Sequence, residues 1–218
     1  MKTFRRAALV ALGLLLQGSL CSEAIGQNEA AHLTEDETNS WSFSASLYGF
    51  IVPESRDYLN PNLTADRGWL HLEARYNYES LETASLWVGY NFSAGEKLVF
   101  EFTPVLGGVF GDLTGIAPGW NLALSYHQLT LSSQNEYVFD VGNSSGDFFY
   151  TWSELSYGPW DWLRVGIAAQ RTKAYKSDLD IQRGFLVGFA YNRVEFTTYV
   201  FNLGWTDPTI VLSVAFQF

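Results

Sequence analysis

Cysteine occurs once in these 218 residues, at Cys21. The body of the chain has none, so disulfides cannot hold the fold, which must rest on packing and sheet closure. Histidine is almost as scarce, with three residues, and His32 lies in the polar N-terminal region. His71 and Glu73 share a strand face but lack a spaced partner set, so no metal site is expected. A Gly-rich phosphate loop is missing, and no feature calls for a cofactor. Lys and Arg number 13 against 23 Asp and Glu, a formal charge of −10. That balance, without a basic patch interleaved with aromatics, argues against nucleic acid as a partner. The chain also lacks a hydrophobic run long enough to be a membrane-spanning helix. Its longest, Ala7 to Leu16, is about half of the roughly 20 residues a span needs.

That short run has a role of its own. Lys2, Arg5 and Arg6 precede it, and the small residues Ser22, Ala24 and Gly26 follow. The order basic, apolar, small is that of a secretory signal peptide over 1–26. Leu20 before Cys21 argues against lipidation, which usually has a small residue there. Removing Lys2, Arg5, Arg6 and Glu23 takes away a net +2 and leaves −12. Residues 27–40 are polar and acidic and read as a periplasmic leader. Residues 41–218 are expected to form one β-domain. Aromatics reach 17% and mean hydropathy is −0.02, as expected where polar and apolar residues alternate.

The alternation is plainest at the end. Ile210, Leu212, Val214, Phe216 and Phe218 are apolar at every second position, while the residues between them are smaller or polar. A period of two marks a strand with one oily face. In this strand, ending on Phe218, the chain resembles bacterial outer-membrane β-barrel proteins. The resemblance implies an integral outer-membrane location, lipid around the barrel, and Phe218 as an assembly signal read by the barrel-insertion machinery.

Eleven alternating segments are clear: 41–52, 68–79, 83–93, 97–109, 119–132, 135–142, 147–158, 161–173, 183–192, 193–203 and 209–218. Such barrels have an even count, short periplasmic turns and longer outer loops. A twelfth, weak strand around Tyr58–Thr64 repairs the parity, although Pro61 counts against it. The expected fold is an all-β, closed antiparallel transmembrane barrel of about 12 strands, with 10 as the alternative. Trp41, Trp69, Trp120, Trp160, Trp162 and Trp205 fall near predicted strand ends, where amphipathic rings suit a membrane boundary. The stretch from Asp66 to Tyr78 is similar to a recurring motif of uncharacterised bacterial barrel proteins, a resemblance that brings no known activity.

The faces separate by chemistry. Leu70, Leu72, Ala74, Tyr76 and Tyr78 form one outward row. His71, Glu73, Arg75 and Asn77 share the opposite face. Glu101, Asp140, Glu154, Arg164 and Glu195 are inward on other strands, because charge against lipid is costly. A turn at 158–160 would set Glu154 opposite Arg164. Carboxylates outnumber arginines, so a polar path here would prefer cations. Trp87, Tyr150, Trp152, Tyr199 and Phe201 also point in, against small Gly89, Gly166, Ala168, Gly188 and Ala190, which implies a partly occluded interior.

One constellation has catalytic parts. With a turn at 132–135, His127 faces Asp140, and Ser125 lies beside His127. This arrangement is similar to outer-membrane lipid hydrolases, though their order is His before Ser and their sites face lipid. The favoured reading is a small, partly occluded solute or cation channel, or a structural membrane barrel. A lipid hydrolase on Ser125, His127 and Asp140, or a surface-binding barrel, are the alternatives.

Overall fold

The computed structural model describes residues 40–53, 55–142, 147–171, 181–204 and 208–218. The predicted signal peptide and nearly all of the predicted leader lie outside them, as does Trp205. The chain folds as β1 (Ser42–Ile51), β2 (Tyr58–Arg67), β3 (Leu70–Tyr76), β4 (Thr83–Tyr90), β5 (Phe92–Ala94), β6 (Leu98–Gly111) and β7 (Gly115–Tyr126). It continues with β8 (Leu129–Asp140), β9 (Phe148–Trp160), β10 (Leu163–Arg171), β11 (Gln182–Tyr191), β12 (Val194–Phe201) and β13 (Thr209–Gln217). Each strand except β4 pairs antiparallel with the next, and β1 pairs with β13. Both β4 and β5 pair with β6, so they are one strand interrupted at Asn91. The result is a closed barrel of 12 strands. Closure leaves no open edge, which is how a sheet without disulfides satisfies its backbone.

The ends differ. Both termini of the barrel meet at one, where the backbones of Phe43 and Phe218 exchange two hydrogen bonds of 3.0 Å. Residues 68–69, 127–128, 161–162 and 192–193 make tight turns there. Gly68, His127 and Asn192 open three of them with positive φ (55°, 53° and 55°), the backbone that a twisted two-residue hairpin needs. The far end carries the longer connections, from 52–57 through 202–208.

The weak strand is real and longer than its sequence signal. β2 alternates cleanly, with Tyr58, Asn60, Asn62, Thr64 and Asp66 inward. Pro61 is tolerated because the β2–β3 ladder begins only at Asn62, so its missing N–H is not needed there. The β7–β8 hairpin corrects the expectation. Its turn is His127-Gln128, not Ser132–Asn135, and Ser132–Asn135 lie within β8. Residues 115–118, expected in a loop, are strand. Pro118 costs only a local gap, since the β7–β8 ladder passes from Ile116–Phe139 to Gly119–Glu136. Ser133 and Asn135 face outward and bond sideways to Ser153 and Thr151 of β9, at 2.7 and 2.8 Å. Their polarity marks a hydrogen-bonded patch on the wall rather than a turn.

Outside this patch the outer wall is mostly apolar. Aromatic stacks gather at the terminal end: Trp41, Phe43, Phe218 and Phe216 in one, Trp160, Trp162 and Phe189 in another. A bulge at Gly158-Pro159 opposite Arg164 shifts the β9–β10 register. The bulge turns Trp160 to the outer face beside Trp162. Trp120 is mid-strand in β7, not at an end. Tyr78 corrects the outward row, because it lies buried in the β3–β4 turn. Asn77 leaves the inward row, with positive φ (56°) and its side-chain amide donating to the Leu59 carbonyl at 2.9 Å.

Candidate functional site: the charged lumen

Period-two alternation drives every second side chain into the barrel, so the inner wall is fixed by strand parity. Among the described residues it holds seven buried carboxylates, Asp66, Glu73, Glu79, Glu101, Glu136, Glu154 and Glu195, against Arg75, Arg164 and His71. Buried charges persist only when paired and hydrogen-bonded. Five of the carboxylates gather around the two arginines, Glu73, Glu79 and Glu136 at Arg75, and Glu154 and Glu195 at Arg164.

Arg75 is held from three directions. Glu73 grips it with both oxygens, Nε to Oε1 at 2.7 Å and Nη2 to Oε2 at 2.8 Å. Glu136, from β8 across the lumen, accepts from Nη1 at 2.7 Å. Glu79 lies 3.7 Å from the same nitrogen. The rings of Tyr78 and Trp87 stand 4.4 Å from its guanidinium carbon, a contact that favours a desolvated cation. Gly107 makes room, since a Cβ there would come within 2.6 Å of the Trp87 indole. The glycine lies within β6, paired with Trp87 itself. A polar chain continues toward the terminal end. His71 Nδ1 contacts Asp66 at 2.9 Å, Asn91 donates to Asp66 at 2.8 Å, and Thr103 donates to Asn91 at 2.8 Å.

Arg164 makes the second cluster. Nη1 donates to Glu154 and Nη2 to Glu195, each at 2.7 Å. Trp152 and Tyr199 also donate to Glu154, at 2.7 and 2.8 Å. By register Glu154 pairs with Ala168, not Arg164, because the turn lies at 161–162. The long arginine bridges the offset. Gly188 clears the way, since a Cβ there would stand 3.0 Å from Glu195 Oε1.

Two cavities flank the aromatics. One of about 10 Å³ is lined by Tyr48, Phe50, Tyr58, Tyr78, Tyr150 and Trp152 among others, room for about one water. The other, about 780 Å³, opens at the terminal end between Arg164, Glu195, Ser156 and the 127–128, 161–162 and 192–193 turns.

The structure does not assemble the catalytic constellation. Ser125 is buried and pairs with Thr130. His127 is exposed in the tight turn. Asp140 sits at the far end of β8, opposite Gly115, roughly 30 Å along the strands from Ser125. Asp140 is also not a mid-lumen charge: it is half-buried at the rim and accepts from the Gly142 N–H at 2.9 Å. Glu136 shares its strand parity with Asp140; a turn at 132–135 leaves it at a strand edge, whereas the 127–128 turn places it within β8. Asp66 and Glu79, at the margins of β3, were masked by their turn-like surroundings. Among the described residues no group of three or more His, Cys, Asp or Glu is placed to hold a metal ion.

No family model and no curated protein matches the sequence. Solved structures do match in shape. A KdgM porin superposes with a TM-score of 0.54 at 11% identity, covering 80% of this chain and 99% of the porin. A KdgM porin in complex with disordered oligogalacturonate gives 0.52 at 12%, covering 81% and 99%. With its closed ring of 12 antiparallel strands, the chain has the fold of the KdgM porins.

Proposed function

We propose that this chain is an integral outer-membrane barrel that conducts small cations through a narrow, side-chain-filled lumen. The observation that carries the reading is the inner wall, with seven buried carboxylates against two arginines and one histidine. Such a wall attracts cations and repels anions. The apolar outer wall and its aromatic stacks suit lipid, and the short-turn end is then periplasmic. The porin fold supports a transport role, but the cargo must differ. Oligogalacturonate, named with one structural neighbour, is a polyanion, and this lumen would oppose it. The packing around the 10 Å³ void limits passage to ions that can thread between side chains. Phe218, stacked on Phe43 and Phe216, keeps its proposed role as the assembly signal.

Planar-bilayer recording tests this. The refolded barrel should give small steps whose reversal potential in a salt gradient lies toward that of the cation. Anion preference would reject the reading. No steps at any voltage would favour the second reading, a structural membrane barrel, for which the filled far half of the lumen already speaks.

A further inference from the structure

Six of the seven lumen carboxylates buried among the described residues have a partner in the protein: a guanidinium, an imidazole or a hydroxyl. Glu101 is different. It is 3% exposed, its Oε2 is buried without a partner, and no ion pair or hydrogen bond reaches it among the described residues. Its neighbour on the wall is in the same condition. Asn121 is 5% exposed, and neither its amide nitrogen nor its amide oxygen has a partner. The two are diagonal neighbours on adjacent strands, since Glu101 pairs with Ala123 and Thr103 pairs with Asn121. Diagonal residues stand about 7–8 Å apart at Cα, so both side chains can address one point between them. Ala123, directly beside Glu101, is too small to fill that space.

A buried carboxylate without a counter-charge is costly, and so is an unsatisfied amide. Two together on one wall signal a group that the protein does not itself supply. We infer that Glu101 and Asn121 form a monovalent-cation site in the lumen, taking Na⁺, K⁺ or a primary ammonium. The donor set gives the class. One carboxylate and one amide oxygen supply a single negative charge. Calcium and magnesium seek more oxygens, and usually more carboxylates. Transition metals want imidazole or thiolate, and His71 is already engaged by Asp66 and Glu73. The site lies three residues into β6 from its terminal-end start at Leu98, roughly 10 Å. A cation entering from that end would meet it before the Arg75 cluster. Its use as an entry station rests on the conduit reading; binding itself does not.

The test is the temperature at which the purified, detergent-folded barrel loses its heat-modifiable gel mobility. Sodium or potassium chloride is compared with the chloride of a bulky organic cation at equal ionic strength. A ligand that binds only the folded state raises this temperature, here by roughly 3–5 °C for a barrel of this size. Glu101→Gln, nearly isosteric, should abolish the difference between salts. Asn121→Ala should reduce it, and Glu195→Gln should lower the melting temperature while keeping it. A wild type indifferent to the cation, or a Glu101→Gln barrel that keeps the shift, would overturn the site. A wild type that shows the shift but never conducts would remove the conduit and leave the site standing.

Discussion

Arg75 and Arg164 both point into the lumen, and both are held by carboxylates at 2.7 Å. They differ in direction. Arg75 on β3 reaches Glu136 on β8, so it ties separate walls together across the lumen. Arg164 on β10 reaches Glu154 on β9 and Glu195 on β12, so it clasps its own wall. The surroundings follow. Near Arg75 the lumen fills, with Tyr78 donating to Gln134 and lying 4.8 Å from the Tyr150 ring. Beside Arg164 a cavity of about 780 Å³ stays open. The same residue joins opposite walls when its partners stand across from it and only neighbouring strands when they stand beside it.

The comparison breaks most sharply at Arg75. Arg75→Leu strands Glu73, Glu136 and Glu79 and removes the cation from two rings. Breaking a buried pair costs about 3–5 kcal/mol, and the upper part of that range is expected here. The temperature of the heat-induced gel shift should fall further than for Arg164→Leu. If the barrel inserts, its conductance should rise, because the cross-lumen tie is gone. An equal fall in both variants would erase the distinction between the clusters.

Arg164→Ala should cost less, about 2–3 kcal/mol, since Trp152 and Tyr199 still serve Glu154 and water can enter from the cavity. In a double-mutant cycle, adding Glu154→Gln should recover part of the loss. Equilibrium unfolding in urea with lipid vesicles would measure it, and zero coupling would reject the pair. Cation preference should strengthen in Arg164→Ala.

Glycine tests the space each cluster needs. Gly107→Ala forces a methyl against Trp87 and should cost about 1–3 kcal/mol, as overpacking does, with a changed tryptophan emission. Gly188→Ala meets flexible side-chain ends at 3.0 Å and should cost less in the same assay. The smallest effect is expected for Glu79→Gln. Three carboxylates surround one guanidinium, and Glu79 is the most distant of them, with Oε2 unpartnered. Removing its charge should change stability by less than about 0.5 kcal/mol, or raise it slightly. A large loss would mean that Glu79 matters to the Arg75 cluster as much as Glu136 does.

The sequence by itself determined the barrel and its two faces. Alternation assigns every inward residue once a strand is placed, so His71, Glu73, Arg75, Glu101, Glu154, Arg164 and Glu195 were legible as lumen residues. Parity even demanded β2, where Pro61 spoke against it. Turn placement was less secure. Ser132–Asn135 look like turn-formers, but hydroxyls and amides satisfied sideways by Ser153 and Thr151 sit equally well in a strand. One misplaced turn set His127 opposite Asp140, left Glu136 at a strand edge and suggested a triad that the structure does not bring together. Only the tertiary structure decided who meets whom across the lumen. Periodicity gives the side of the wall on which a residue stands, while strand number, stagger and side-chain reach set its partner. Arg75 meets Glu136 over 61 residues of chain, and Glu101 meets no partner among the described residues, for the same reason: closure of the ring brings distant walls to distances that no local pattern encodes.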